Sequence, residues 1–540
     1  GDASKPAASP YGNYLAGLFA NNRGDLDSSA AFMAEALADD PKNPELLRQT
    51  FLLQTSIGDM DRAVALARRM GSNSAHHGAA TVLRMLAHVR DGEHGEARKA
   101  LDALSGRGLS QLLRPLMTGW LSVAEGNAPD SVAQLEGLNA INGIALLRQV
   151  HTALIHDLSG RPEKARSTFA KVTKDADALS LRLAWLAANF YAREGERDRA
   201  LALMDTYLDT SPGSMTARAI RARLDTKEVP PRLVENPSQG IAEALFNVAG
   251  LLNREGATDL ALLYSRLSLY IHPEFGFGRM LLGEILENQQ RHEHAIRTYE
   301  RVSPNSPFHY AAQLRIASEL RSLDRTEAAI SMLENVAQQA PKRYEPLYRV
   351  GNIERAEENF AAAAKAYERA LARLDKTVER HWTLYYFFGI SLERLDRWSK
   401  AETQFKRALD LKPEQPYVMN YLAYSWVEQK INLQQAQEML KQAVSERPDD
   451  GFIVDSMGWV YYRLGQYYKA VKYLERAVEL RPNDPVINDH LGDAYWKVGR
   501  RREARFQWHR ALGLDPEKDV MSQIRAKLDG GLDAVAKPNG

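Results

Sequence analysis

Two pairs of histidines have the spacing that first suggests chemistry in this chain of 540 residues. His292 and His294 flank a glutamate, and His76 adjoins His77. Residues two positions apart point to different faces of a helix, so His292 and His294 could not share a ligand there. The sequence also contains no HExxH, GxSxG or GxxxxGK[ST] motif and no cysteine. We therefore predict no metal site, no cofactor and no enzymatic activity.

Charge and hydropathy argue against two further classes, nucleic-acid-binding proteins and membrane-spanning proteins. Lys and Arg together number 70 and Asp and Glu 69, which gives a formal net charge of +1. A nucleic-acid-binding protein normally carries a basic excess, so we predict that this chain binds no nucleic acid. No run approaches the ~20 apolar residues that span a bilayer, so we predict no transmembrane segment. The length exceeds what one hydrophobic core usually supports, which favours several domains or a repeat array.

A period of 34 residues organises the chain. It relates Gly24, Gly58, Gly92, Gly126 and Gly160 to one another, and it relates Gly458 to Gly492, Gly465 to Gly499 and Pro482 to Pro516. Each unit has the pattern of a helix A, a tight turn, a helix B and a turn that contains proline. We expect Gly458 to lie where the two helices cross, Gly465 to end helix A, and Pro482 to follow helix B. One helix pair cannot bury its apolar face alone, so the units must stack.

These offsets resemble the tetratricopeptide repeat. The resemblance implies an all-α, right-handed superhelical solenoid, with about fourteen helix pairs that form two arcs. We predict degenerate repeats over 10–226, a proline-rich linker over 227–241, more regular repeats over 242–517 and a capping helix over 518–530. A lone helix is expected within 215–226. The termini, 1–9 and 531–540, are predicted to be disordered.

The repeat register predicts a binding surface. In this fold the concave wall is formed by positions of helix A that do not pack between helices, roughly the second, fifth, ninth and twelfth. In the last three full repeats these positions hold Tyr417, Asn420, Tyr424, Asp455, Trp459, Tyr462, Asp489, Asp493 and Trp496. Asn420, Asp455 and Asp489 recur at one equivalent position per repeat. Rings with amide and carboxylate neighbours suit an extended peptide. Packing between repeats is the alternative interpretation for Trp459 and Trp496.

The C-terminal block resembles a narrower family, the exported repeat proteins of proteobacteria. The signatures are DGFIVDSMGW at 450–459 and DPVINDHLGDAYWKVGR at 484–500. Relatives in this family include an outer-membrane lipoprotein adaptor that binds and activates a carboxy-terminal processing protease in the periplasm and delivers cell-wall hydrolases to it. The resemblance therefore implies a periplasmic protein adaptor, either free or associated with the outer membrane.

Two points stay open at this stage. A scaffold for an envelope assembly or export complex, without a protease, is the alternative function. A lipoprotein carries a lipidated cysteine at its mature terminus, and this sequence begins at Gly1 without one. Either the anchor was lost by trimming or this member of the family is soluble. The sequence does not identify the partner.

Overall fold

The computed structural model describes residues 10–70, 77–104, 107–141, 143–175 and 179–534. The segment predicted to be disordered at 1–9 lies outside this part, as do His76 and residues 535–540 of the tail predicted to be disordered over 531–540. The first four residues of that tail are described and include a short 3-10 helix, Leu532–Ala534. Within it, the α-helices are α1 (Pro10–Asn22), α2 (Leu26–Asp39), α3 (Pro44–Ile57), α4 (Met60–Arg69), α5 (His77–Arg90), α6 (His94–Asp102), α7 (Ser110–Ala124), α8 (Ala128–Leu135), α9 (Ala145–Leu158), α10 (Pro162–Val172), α11 (Leu181–Arg193), α12 (Arg197–Thr210), α13 (Met215–Leu224), α14 (Pro237–Arg254), α15 (Thr258–Ile271), α16 (Gly276–Asn288), α17 (His292–Glu300), α18 (His309–Ser322), α19 (Thr326–Gln339), α20 (Glu345–Ala356), α21 (Phe360–Leu371), α22 (Trp382–Glu393), α23 (Trp398–Leu411), α24 (Pro416–Glu428), α25 (Leu433–Glu446), α26 (Gly451–Arg463), α27 (Tyr467–Leu480), α28 (Pro485–Lys497), α29 (Arg501–Leu512) and α30 (Lys518–Gly530).

The helices form successive antiparallel hairpins, each packed on its neighbours along the chain. The predicted all-helical repeat fold is confirmed for the described residues. Only α13 and α30 stand outside the helix pairs of this part of the chain. Helix B of each regular unit is strongly amphipathic; in α27, for example, Ala470, Leu474 and Ala477 are buried. These residues recur at helical spacing and pack on helix A.

A glycine in helix A sets the close approach of the two helices in several hairpins. Each such glycine faces a large residue 16 positions later, in helix B. A Cβ atom added to the glycine would lie between 2.3 and 2.7 Å from that side chain in the pairs Gly283–Tyr299, Gly351–Tyr367, Gly389–Phe405, Gly458–Leu474 and Gly492–Trp508. Real Cβ atoms do not approach so closely, so a side chain at these positions would push the helices apart. The expected crossing position of Gly458 is therefore observed.

The turn from helix A to helix B has the left-handed conformation that its glycine predicts. Gly465 has a φ of 75° and Gly499 a φ of 85°. The same turn recurs in later repeats with other residues there, and φ is near 60° at Gln290, Asp324, Glu358, Asp396 and Lys430. These residues are 34 positions apart, except that Glu358 and Asp396 are 38 apart. A search for periodic glycines misses these turns, because the backbone geometry persists where glycine does not.

The chain divides into two compact units, Gly1–Met332 and Leu333–Gly540. The predicted division at 227–241 lies inside the first unit. Its prolines do exclude a helix over most of the segment, but α14 begins already at Pro237, where Asn236 caps the helix and a proline is tolerated. Val234 is buried, and Asn189 donates a hydrogen bond to the carbonyl oxygen of Pro231 at 2.9 Å. The segment is thus packed against α11, which a free linker would not be.

Candidate peptide-binding wall

The nine predicted wall residues lie on α24, α26 and α28, which are consecutive A helices of the second unit. Their exposure differs widely. Tyr417 is 40% exposed, and Asn420, Tyr424, Tyr462 and Trp496 are half-buried. Asp455, Trp459, Asp489 and Asp493 are buried, each at most 8% exposed. The structure therefore brings the residues onto neighbouring helices, but it leaves only part of the set accessible.

Asp455 is engaged with the next repeat. Both of its carboxylate oxygens lie within 3.1 Å of Nδ1 of His490. The ring of His490 stacks on Trp459 with the centroids 3.9 Å apart, and Trp459 stacks in turn on Tyr462 at 4.6 Å. Burial alone would lower the pKa of His490, but the charges of the neighbouring carboxylates raise it above its ordinary value. This arrangement joins two repeats, which supports the packing interpretation of Trp459.

Asp489 and Asp493 are engaged with the capping helix. Nζ of Lys527, in α30, lies 2.7 Å from Oδ2 of Asp489 and 2.8 Å from Oδ1 of Asp493. Lys527 is only 5% exposed. Burial and the charge of Asp489 raise the pKa of Asp493 to about 6, although Lys527 opposes the shift. A buried ammonium group thus pairs with both carboxylates that the repeat register had placed on the wall.

The end of α30 also covers Trp496. Gly531, just after the helix, has a φ of 74°, and a Cβ atom there would lie 2.1 Å from the indole of Trp496. The guanidinium of Arg501 lies 3.8 Å from the centroid of the same ring. The C-terminal segment 527–531 therefore contacts three predicted wall residues, Asp489, Asp493 and Trp496.

The part of the wall on α24 has a hydrogen-bond acceptor without a donor among the described residues, and it has aromatic rings that remain accessible. Oδ1 of Asn420 is buried and has no hydrogen-bond partner among the described residues. Tyr417, one turn earlier, is exposed, and the guanidinium of Arg447 lies 5.7 Å from its ring centroid. Tyr424 is half-buried, and burial raises the pKa of its hydroxyl. Of the equivalent residues Asn420, Asp455 and Asp489, only Asn420 retains an unsatisfied acceptor.

Sequence reasoning missed two residues at the rim of this wall. Phe452 and Val486 occupy the second position of α26 and α28, as Tyr417 does in α24. They are 47% and 38% exposed. The guanidinium of Arg481 lies 4.8 Å from the ring of Phe452, which repeats the contact between Arg447 and Tyr417. Both residues could have been predicted from the sequence, because they hold the same repeat position as Tyr417. His490 and Lys527 pair with the buried carboxylates of the wall. Neither residue has a position in the repeat that predicts this contact.

The candidate metal ligands of the described part of the chain do not cluster. This part contains no group of three or more side chains placed to hold a metal ion. His292 lies 2.6 Å from a carboxylate oxygen of Glu319, whereas Nε2 of His294 lies 3.4 Å from Asp27. The two histidines thus contact different carboxylates. No helix in the described ranges combines the length and apolar character needed to cross a bilayer.

Comparison with known families bears on the fold. Residues 314–378 match a family described as tetratricopeptide repeat, and residues 458–499 match one described as TPR repeat. The chain carries tetratricopeptide repeats. The second match spans the second half of α26, all of α27 and all of α28, and it includes the predicted wall residues Trp459, Tyr462, Asp489, Asp493 and Trp496. Proteins with such repeats are protein-binding scaffolds.

Individual similar proteins are distant. A TPR repeat-containing protein of Pseudomonas aeruginosa is 25% identical over 195 residues, which cover 36% of this chain and 32% of that protein. The match thus spans about a third of the relative's length. Among solved structures, the Cut9–Hcn1 hetero-tetramer of the APC/C aligns over 97% of both chains at 17% identity, with a TM-score of 0.38. Yeast Tom70 aligns over 97% of this chain and 95% of its own at 13% identity, with a TM-score of 0.32. TM-scores this low carry no argument about function.

Proposed function

We propose that this chain is a non-enzymatic adaptor of the bacterial cell envelope. In this proposal it resides in the periplasm, either free or associated with the outer membrane. There it binds and activates a carboxy-terminal processing protease and delivers substrates such as cell-wall hydrolases to it. The identity of the protease rests on the resemblance carried by DGFIVDSMGW and DPVINDHLGDAYWKVGR. The general role as a protein-binding scaffold rests on the tetratricopeptide repeats.

The buried, unpartnered Oδ1 of Asn420 is the observation that supports a docking site on α24 and α26. A buried acceptor without a donor among the described residues costs free energy. A backbone N–H of a bound peptide would satisfy it once the Asn420 side chain turns its amide towards the groove. The exposed rim of Tyr417, Phe452 and Val486 provides apolar area beside it. Peptide recognition commonly combines such main-chain hydrogen bonds with pockets or rings for side chains. The carboxylates of Asp455, Asp489 and Asp493 already pair with His490 or Lys527 and are not free to bind a peptide.

The test compares two variants with similar losses of aromatic surface. One combines Tyr417→Ala, Asn420→Ala and Phe452→Ala. The control combines Tyr468→Ala and Phe506→Ala, which remove rings that are 82% and 64% exposed on B helices. Affinity for the purified protease is measured by calorimetry, and stimulation of its peptide cleavage is measured in parallel. We expect the wall variant to bind at least about tenfold more weakly, since removing anchors typically costs over 1 kcal/mol each. Both variants should keep the wild-type melting temperature.

Equal affinities of the wall variant and the control would contradict the docking site. If the unaltered chain neither binds nor stimulates the protease, the adaptor proposal itself fails. In that case, capture of a stable set of envelope assembly proteins from a periplasmic extract would favour the alternative, a scaffold without a protease.

A further inference from the structure

A cavity in the first unit is lined by several arginines and by no acidic residue. It measures about 180 Å³ and lies among α15, α16, α17 and the turn that joins α3 to α4. Four of its lining residues are arginines, namely Arg266, Arg279, Arg297 and Arg301. None of its lining residues is an aspartate or a glutamate. The chain as a whole has a net charge of only +1, so this is a local concentration of positive charge.

Arg266 is held in place by the backbone of the α3–α4 turn. Its Nε donates a hydrogen bond to the carbonyl oxygen of Ser56 at 3.0 Å. Its guanidinium also lies against Gly58, where an added Cβ atom would be 3.0 Å from Nη1. The equivalent turn glycines Gly24 and Gly92 have no neighbour within 4 Å. The Nη groups of Arg266 donate to no acceptor among the described residues, so its position is fixed while most of its donors stay available.

Two of the neighbouring cations, Arg279 and Arg301, also lack an ion-pair partner among the described residues. Arg279 is 9% exposed and donates to the carbonyl oxygen of Pro273. Neither Arg279 nor Arg266 nor Arg301 forms an ion pair within the described ranges. Arg297 differs, because its guanidinium lies 2.9 Å from a carboxylate oxygen of Asp27. Three of the four arginines therefore have no ion-pair partner within the described ranges, although the charge of Glu274 acts on Arg279 from a longer distance.

The charges affect one another's ionisation. Burial, followed by the charges of Arg301, Arg297, Arg279 and Arg291, lowers the pKa of Arg266 to about 10. Burial also lowers the pKa of His294, so this imidazole is neutral at pH 7 and adds no charge. Like charges that face one cavity repel each other, and an anion between them would remove that repulsion.

We propose that this arginine cavity binds a single oxyanion group, a carboxylate or a phosphate, through Arg266, Arg279 and Arg301. Guanidinium groups donate forked hydrogen bonds that match the oxygens of both groups. The volume accommodates a group of a few heavy atoms, so a larger ligand would place only its anionic end inside. The apolar lining residues Ile57, Met60 and Leu282 would contact the carbon atoms next to that end. This site lies in the first unit and does not depend on the wall of the second.

The first experiment measures binding of inorganic phosphate and of the peptide acetyl-Ala-Ala-Leu by calorimetry in a buffer of low chloride concentration. The peptide is used with a free carboxylate and as its C-terminal amide. We expect the unaltered chain to bind at least one of the two anions and not the amide. Binding of the peptide acid identifies a carboxylate ligand, whereas binding of phosphate alone identifies a phosphoryl ligand. Binding of neither anion would overturn the proposal, as would equal binding of the amide and the acid.

Variants locate the bound anion. Arg266→Gln and Arg301→Gln should each weaken anion binding by about tenfold or more, since each removes a charged donor. Arg114→Gln is the control, because Arg114 lies in the same unit but pairs with Asp102. Equal affinity of all three variants would show a non-specific effect of charge and overturn the assignment.

The turn glycines supply a second, independent pair of variants. Gly58→Ala and Gly92→Ala impose similar backbone strain, because Gly58 has a φ of 89° and Gly92 a φ of 75°. Only the Cβ atom at position 58 would displace a guanidinium, that of Arg266. We expect both variants to melt at similarly lowered temperatures, while only Gly58→Ala loses affinity for the anion. Equal anion affinity of the two folded variants would contradict the role of Arg266.

Discussion

Lys527 in the second unit and Arg279 in the first are both buried cations, but their surroundings differ. Lys527 is 5% exposed and contacts two carboxylates within 3 Å. Arg279 is 9% exposed, donates to a backbone carbonyl group and faces other arginines. The first cation has its carboxylate partners within the protein, whereas no carboxylate of the described residues pairs with the second. The contrast separates a cation that holds the structure together from one that is available to a ligand.

The largest expected effect is that of Lys527→Met. The change leaves Asp489 and Asp493 buried without their counter-charge, and breaking a buried pair in this way typically costs 3–5 kcal/mol, or about a hundredfold or more in opening equilibrium. We expect amide hydrogens of α28 and α30 to exchange faster by about that factor, as measured by hydrogen-exchange mass spectrometry. Lys518→Met, at an exposed position of the same helix, is the control. Equal protection from hydrogen exchange in both variants would show that the contacts of Lys527 with Asp489 and Asp493 do not hold α30 against α28.

A smaller effect is expected from pH. The raised pKa of Asp493, about 6, means that the folded state holds this proton more tightly than the unfolded state. The proton bound to Asp493 therefore stabilises the folded state below about pH 4, and this stabilisation is lost as the pH rises through 6. The raised pKa of His490 acts in the same direction, with loss above its ordinary titration range. Between pH 5 and 8 we expect the opening free energy of α28 to fall by roughly 1–2 kcal/mol.

Hydrogen exchange at several pH values, corrected for intrinsic rates, measures this dependence. Asp493→Asn should reduce the dependence to the part that His490 contributes, whereas Asp519→Asn, at an exposed position, should leave it unchanged. Stability of α28 that rises with pH over the same range would contradict the assignment of the two groups.

The smallest effect is expected for Arg279→Met. The substitution loses one hydrogen bond to Pro273 but also removes repulsion from Arg266, so the two contributions offset each other. We expect the free energy of unfolding to change by about 1 kcal/mol or less, as measured by urea denaturation without added anions. A loss as large as that of Lys527→Met would mean that Arg279 has a structural partner and would erase the contrast between the two cations.

The sequence could predict the hairpins because their determinants are local. Gly458 and Gly492 lie at helix crossings as expected, and Gly465 and Gly499 form the left-handed turns. These features repeat within one 34-residue unit, so the period reveals them. The packing of 227–241 was not predictable in this way, since it depends on contacts such as that of Asn189 with Pro231, 42 residues later.

The environment of the wall residues was harder to predict than their positions. The register placed Asp489 and Asp493 on one helix face, but their partner Lys527 comes from α30, outside the periodic pattern. A lysine on an amphipathic helix is normally solvated, so nothing in its type or spacing signals burial. Arg266 and Ser56 are 210 residues apart, and no periodicity relates them. The anion cavity therefore became visible only in the folded structure.

The fixed separation of 16 residues between each crossing glycine and its partner has a consequence for folding. Contacts such as Gly283–Tyr299 and Gly492–Trp508 close short stretches of chain, so little loop entropy is lost when they form. Proteins dominated by contacts of this range fold quickly. A hairpin can therefore assemble as soon as its own segment of about 34 residues is free, before the rest of the chain has been synthesised or released. The order in which the segments become available would then set the order in which the array is built.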